Sequence, residues 1–233
     1  PTTCDSSRSG EDGSRTMTNP NAVVVGETTF PFHGFEERGP HVESALGDAV
    51  DVTRTTDRDV LSDLSDYDVV VDYLTDSTLT DDQLEGLLGF VRDGGGYLGL
   101  HCAADLTNVH DGGGELGHRD DPFPALRELL GGHFLGHPEQ ATFGVEPVAE
   151  HPVVEGVDRF EVFDEPYQVE ADDDVTVLAR MDHPELDDYP VVWVRGYGGG
   201  RVCYASLGHT EAAFEHGSYR RLLQNAVGWL TRA

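Results

Sequence analysis

Residues 80–101, TDDQLEGLLGFVRDGGGYLGLH, read as one complete helix–turn–strand unit. Thr80 followed three residues later by Gln83 has the form of a capping box, which satisfies free backbone N–H groups at a helix start. Leu84, Leu87, Leu88 and Val91 then fall on one face at helical spacing. Gly94-Gly95-Gly96 stops that helix, and Tyr97 to Leu100 forms a strand that delivers His101 at its end. Upstream, the run Ala22 to Gly26 (AVVVG) is apolar on both faces, as a strand buried in a parallel sheet should be. Val50-Asp51-Val52 and Val69-Val70-Val71 make two further strands, with a helix near Glu36 to Leu46 between the first pair. Strands and helices alternating at this spacing predict a parallel sheet covered by helices on both faces.

The second half has another rhythm. A polar, Gly-rich loop runs from Asn108 to Asp121, and Pro124 to Leu130 resumes a short helix. From Ala141 to Tyr204 strand follows strand, including Arg159–Val169, Val175–Ala179 and Val191–Val194. Gly196 to Gly200 reads as a hairpin turn into Val202–Ser206. The last element, Ser218 to Leu230, is a helix burying Leu222, Leu223, Ala226, Trp229 and Leu230. Residues 22–233 are therefore expected to form a single α/β domain, a mostly parallel sheet with extra β-hairpins in its C-terminal half. Residues 1–21, rich in Ser, Thr, Asp and Gly, are expected to be a disordered leader in which Met17 is the natural start.

The chain has 233 residues and a formal charge of -29, from 44 Asp and Glu against 15 basic residues, all of them Arg. Such a charge repels nucleic-acid phosphates and anionic membrane surfaces. The acids are spread along the whole chain, which points to a solvent adaptation: a cytoplasmic protein of a salt-loving cell. Cys4, Cys102 and Cys203 show no paired spacing, so neither a disulfide framework nor a thiolate zinc site is indicated. No run approaches the roughly 18 apolar residues of a membrane span, and no secretory h-region opens the chain. Gly94–Gly96, Gly112–Gly114 and Gly198–Gly200 match no phosphate-loop pattern, and there is no Lys to reach a phosphate, so a nucleotide is not expected.

Ligands of open parallel sheets bind beyond the carboxyl ends of the strands. Three such ends each deliver a histidine: His33, His101 and His209. His133 and His137 share an i, i+4 spacing in a Gly-rich segment that argues against a helix, and Asp164-Glu165 adds a carboxylate pair. Neutral imidazoles are ligands for zinc and other first-row divalent ions. His33, His101, His137 and His209 are accordingly the expected metal set, zinc first. His101, His209, Glu165 and Asp105 are expected to carry acid/base and hydroxyl-holding roles. Tyr167, Trp193 and Phe134 are the expected substrate contacts, with Tyr197 as a further stacking face. Asp164 and Glu165, adjacent on a strand, should point to opposite faces and cannot flank one glycosidic bond.

The motifs Gly99-Leu100-His101-Cys102-Ala103-Ala104-Asp105, Gly132-x-Phe134-x-x-His137-Pro138, Asp164-Glu165-x-Tyr167, Pro190-x-x-Trp193 and Leu207-Gly208-His209 occur in that order. In combination they resemble the ThuA (trehalose-utilisation) family from about Val23 to Leu230. The resemblance implies a flavodoxin-like, class I glutamine amidotransferase-like three-layer sandwich. It also implies a role in catabolism of trehalose, related glycosides or 3-keto sugars, with a small sugar or keto-sugar as partner. The amidotransferase elbow Gly-x-Cys-x-Gly is replaced here by His101 at the nucleophile position, so glutamine amidotransfer is not expected. The stretch Thr107 to Asp121 departs from the family, which has an aromatic-rich segment there. Two alternatives stand beside the metal-assisted enzyme. One is a non-catalytic sugar-binding or regulatory module. The other is a metal-free Cys/His hydrolase with Cys102 as nucleophile. A homo-oligomer is compatible with all three.

Overall fold

The computed structural model describes residues 19–30, 32–110 and 116–232. The chain runs β1 (Asn21–Gly26), α1 (Phe35–Leu46), β2 (Asp51–Thr55), β3 (Val69–Tyr73), α2 (Asp81–Arg92), β4 (Gly96–Leu100), β5 (Asn108–His110), β6 (Leu116–His118) and α3 (Pro124–Leu130). It continues through β7 (Gly132–Gly136), β8 (Ala141–Pro147), β9 (Phe160–Asp164), β10 (Gln168–Ala171), β11 (Thr176–Asp182), β12 (Pro190–Tyr197), β13 (Gly200–Ala205), α4 (Glu211–Glu215) and α5 (Gly217–Leu230). The expected leader lies outside the described residues as far as residue 18. Its last residue, Asn21, instead opens β1, because its N–H is held by the Asp68 carboxylate at 2.8 Å and it pairs with Asp51.

One nine-stranded sheet, in the order β2-β1-β3-β4-β13-β12-β11-β8-β9, organises the molecule. β2, β1, β3, β4 and β13 are mutually parallel, and the C-terminal hairpins extend the same sheet antiparallel from β13 to β9. The α/β sandwich expected from the sequence is what forms. Both faces of β1, β3 and β4 are buried, which is why their sequences are almost continuously apolar. One face packs Val24, Val71 and Leu98 with Leu46 of α1, Phe214 of α4 and Leu223 of α5. The other packs Val25, Val70 and Val202 with Leu87 and Val91 of α2 and Leu129 of α3. At the start of α2 the Gln83 N–H donates to Thr80 Oγ1 at 3.3 Å and the Thr80 N–H donates to Gln83 Oε1 at 3.0 Å. The capping box is thus real in both directions.

Two local outcomes differ from the sequence reading and both matter to function. The run Arg159–Val169 is not one strand: Pro166 has no N–H to continue a ladder, so β9 ends at Asp164 and β10 leaves to pair with β7. Successive antiparallel steps from β13 make β9 run in the same direction as β13 and β4. Its carboxyl end, carrying Glu165, therefore reaches the same edge of the sheet as those of β1, β3, β4 and β13. The His133–His137 segment is not a helix: His133 lies in β7 and accepts from Arg127 Nε at 3.1 Å, whereas His137 follows the end of the strand and bonds the Pro138 carbonyl, so the two rings serve different partners.

Candidate active site

The residues following β1, β4, β9 and β13 meet at one point. His33, in the loop between β1 and α1, and His101, immediately after β4, are the described non-glycine residues with positive φ, at 57° and 45°. Left-handed backbone is unfavourable for a residue with a Cβ, and it persists only where the surroundings impose it. For His101 the imposition is visible. Its Nδ1 donates to the Ser206 carbonyl at 2.8 Å, its own carbonyl accepts from Tyr204 Oη at 2.8 Å, and Tyr167 stacks on the ring at 4.0 Å between centroids. With the proton on Nδ1, Nε2 presents a lone pair.

That Nε2 lies 3.1 Å from His33 Nε2 and 3.4 Å from Glu165 Oε2. His33 Nε2 is 3.0 Å from His209 Nδ1, which is in turn 3.0 Å from Glu165 Oε2. The far side of His33 is fixed by Thr75 Oγ1, 3.0 Å from Nδ1. Thr75 and Asp76 give their N–H groups to the buried Glu27 carboxylate at 2.8 and 2.6 Å, and Arg58 closes that network at 2.7 Å from Glu27. His209 is set by Asp164, the residue before Glu165. The buried Asp164 carboxylate accepts the N–H groups of Gly208, His209 and Thr210 at 2.7, 3.0 and 3.0 Å. The two adjacent acids thus act on the same histidine from different sides. Asp164 holds the His209 backbone, and Glu165 faces its ring.

Charge states follow from burial and neighbours. Burial first, and then the neighbouring His101 and His209, press the His33 pKa down to about 2, so this imidazole is neutral. Burial alone would raise Glu165, but the adjoining His101 and His209 rings outweigh it. The carboxyl is held well below its usual range and stays ionised. Neutral imidazoles and a carboxylate are the donor set of a divalent metal centre. The four ligand atoms of His33, His101, Glu165 and His209 all lie within 4.8 Å of one another. Tetrahedral zinc at bond lengths of about 2.0–2.1 Å needs ligand atoms about 3.3–3.4 Å apart. Four of the six separations are 3.0 to 3.4 Å and the other two are within 4.8 Å, a size that suits a small cation of this class.

His137, expected among the ligands, stands at the rim instead. Its Nδ1 donates to the Pro138 carbonyl at 2.8 Å and its Nε2 is 3.7 Å from Glu165 Oε2. Glu165 stands with His33, His101 and His209 in its place. Tyr167 and Phe134 line the same region: Tyr167 lies between the rings of His101 and His137, and Phe134 is 4.4 Å from Tyr167 and 5.8 Å from His137.

Four other candidates are not brought into the cluster. Asp105 is not in the site: after the 3-10 turn His101–Ala104 its carboxylate accepts from Thr107 Oγ1 at 2.9 Å and Asn108 Nδ2 at 2.6 Å. Trp193 is fully buried, donates Nε1–H to the Leu130 carbonyl at 2.8 Å and packs on Tyr204, so it is core; Tyr197 sits at the opposite end of the sheet under Arg92. Cys102 faces the core on the α1–α5 side, where burial pushes its thiol well above the usual range, so no thiolate nucleophile exists there. Conversely, sequence reasoning passed over Thr75 and Ser206, and it named Asp164 without its hold on the backbone of residues 208–210. Thr75 lies just past the end of β3, where the strand-end rule would have found it.

A sequence profile described as ThuA, trehalose utilisation, matches residues 21–230. The chain belongs to the ThuA family. Among solved structures, a ThuA-like protein from Bacteroides uniformis ATCC 8492 superposes with a TM-score of 0.71 at 24% identity, covering 94% of each chain. A cytoplasmic protein from Salmonella typhimurium LT2 follows with a TM-score of 0.63 at 16% identity, covering 91% of this chain and 100% of its own. A β-galactosidase from Rahnella sp. R3 gives 0.65 at 18%, with 91% of this chain matched to 31% of the enzyme. These likenesses are of fold. No curated protein matches the sequence. Among the described residues of this ThuA chain, no helix is long and apolar enough to cross a membrane.

Proposed function

We propose that this ThuA protein is a cytoplasmic enzyme of carbohydrate catabolism that acts on a sugar ketone, such as a 3-keto-glycoside, by metal-assisted acid/base chemistry. The observation that carries the reading is the convergence of His33, His101, Glu165 and His209 on one point at the ligand-binding edge of the sheet. A bound divalent ion would supply Lewis-acid polarisation of the sugar carbonyl. The chain's own contribution is the rest. Thr75, Ser206 and Asp164 fix the ligand side chains and the backbone that carries them. Tyr167 and Phe134 wall the site. His137 would be the proton acceptor. Its Nδ1–H is committed to the Pro138 carbonyl, so a neutral ring would carry its lone pair on Nε2, beside Glu165. That lone pair would take the proton from the carbon next to the ketone, the C–H electron pair passing to the carbonyl oxygen as an enolate, an acidity a plain glycoside lacks.

Elemental analysis joined to product analysis tests this. We expect about one equivalent of zinc, manganese or iron per chain, and conversion of 3-keto-glycosides that stops on chelation and returns on adding the metal back. Equal turnover by metal-free protein would overturn the mechanism. Sugar binding without conversion across a panel of disaccharides and keto-glycosides would make the protein a binding module.

The acidity fits a separate reading, the habitat. The buried acids are Glu27, Asp72, Asp76, Asp164 and Glu165, and most other described acids remain at or near the surface, where they repel one another unless salt screens them. Thermal stability is expected to rise steadily from dilute to molar potassium chloride in a melting series; a midpoint that is flat or falls with salt would remove the halophilic reading.

A further inference from the structure

We propose that Phe32 is a stacking platform for the pyranose ring of the substrate, adjoining the metal-ligand cluster. This rests on the carbohydrate reading above and specifies how the sugar is held. Phe32 is a large apolar residue left 37% exposed, and it directly precedes His33. Its ring is held rather than loose. Phe30, itself buried, stacks on it at 5.6 Å with an interplanar angle of 11°, and the His33 ring meets it edge-on at 5.2 Å. Phe30 thus stacks on one face, and the part of the residue left uncovered is apolar surface in water, which a ligand that covers it would bury. An exposed aromatic next to convergent polar groups is the composition of a small-molecule site.

The chemistry selects a sugar. The face of an aromatic ring is electron-rich, and the axial C–H bonds of a pyranose present a weakly positive, apolar face to it. The hydroxyl and carbonyl edge of the same ring then faces the polar cluster, where His33 is fixed by the same short segment that carries Phe32. Tyr167 contacts the rings of His101 and His137 and Phe134 that of His137, whereas Phe32 contacts His33, so aromatic side chains touch the cluster through different histidines.

The test uses metal-replete protein and calorimetric titration with methyl α-D-glucopyranoside, its 3-keto derivative and glucitol, an open-chain polyol with no pyranose face. Phe32→Ala is expected to weaken pyranoside binding by about tenfold, with metal content unchanged and any glucitol binding unaffected. Phe32→Trp should restore the affinity. Equal pyranoside affinity in wild type and Phe32→Ala would overturn the platform while leaving the carbohydrate reading intact. No pyranoside or keto-pyranoside binding by the wild type would overturn both. A Phe32→Ala variant that keeps its affinity but changes from dimer to monomer in sedimentation would make Phe32 a self-association contact, which also overturns the proposal.

Discussion

His137→Gln is expected to retain the metal and lose turnover by about a hundredfold to ten-thousandfold, the range that a positioned general base supplies. The expectation follows from a division of labour among four histidines. His33, His101 and His209 turn nitrogen atoms toward one another at 3.0 and 3.1 Å, whereas His137 reaches only Glu165, at 3.7 Å, from a side chain 36% exposed. A ligand must be where the metal is; a base must be where the substrate arrives. The bond from Nδ1 to Pro138 selects the tautomer, and glutamine cannot reproduce a basic lone pair at that position. Metal content and kcat, measured on the same preparation of His137→Gln, decide the matter. Loss of metal would return His137 to the ligand set that its sequence motif suggested. Retained metal with unchanged kcat would place the base elsewhere.

The second large effect is expected at Asp164. Asp164→Ala removes the acceptor of three N–H groups, that of buried Gly208 and those of half-buried His209 and Thr210. An orphaned buried donor costs about 1–3 kcal/mol, so a loss on the order of 3–5 kcal/mol is expected, a large share of a typical domain's stability. Asp164→Asn is milder. Its single oxygen can still serve His209 and Thr210, leaving the Gly208 N–H opposed by an amide NH2. Denaturant unfolding should therefore rank wild type, Asn and Ala in that order. Metal titration should show the Asn variant weakened as well, because the backbone bearing His209 has lost one of its three fixings. Unfolding of Asp164→Ala at the wild-type midpoint would show that water replaces the carboxylate, and the anchoring role would fall.

How much of this is legible in the sequence depends on what kind of partner each residue has. The parallel body is readable because strands such as Ala22–Gly26 are buried on both faces, and burial on both faces leaves a continuous apolar run. The capping box at Thr80 is readable because both of its partners are side chains at fixed spacing. The strand-end histidines are readable because topology alone sends such residues to the ligand edge. Asp164 is not, since its partners are backbone N–H groups from residues 208–210, and no side-chain pattern records them. Trp193 misleads for a related reason. Both faces of β12 are mostly buried, so alternation along Val191–Val194 gives no sign of which side is solvent. Asp105 misleads because a single 3-10 turn after His101 is enough to rotate its carboxylate out of the site. Glu165 reads as part of a continuous strand, and it is the proline after it that breaks β9 and frees it to join the histidines.

The ligand atoms come from chain segments as far apart as 68 residues, between His33 and His101, and 176 residues, between His33 and His209. A metal held by all four residues would therefore act as a knot tied across the whole chain, closing loops that are costly to close in the unfolded state. The centre can exist only after β1, β4, β9 and β13 are all in register, so metal capture would mark the end of folding rather than its beginning. A chain nicked or misassembled anywhere between residues 33 and 209 would lose its hold on the ion, and occupancy would then report the integrity of the fold.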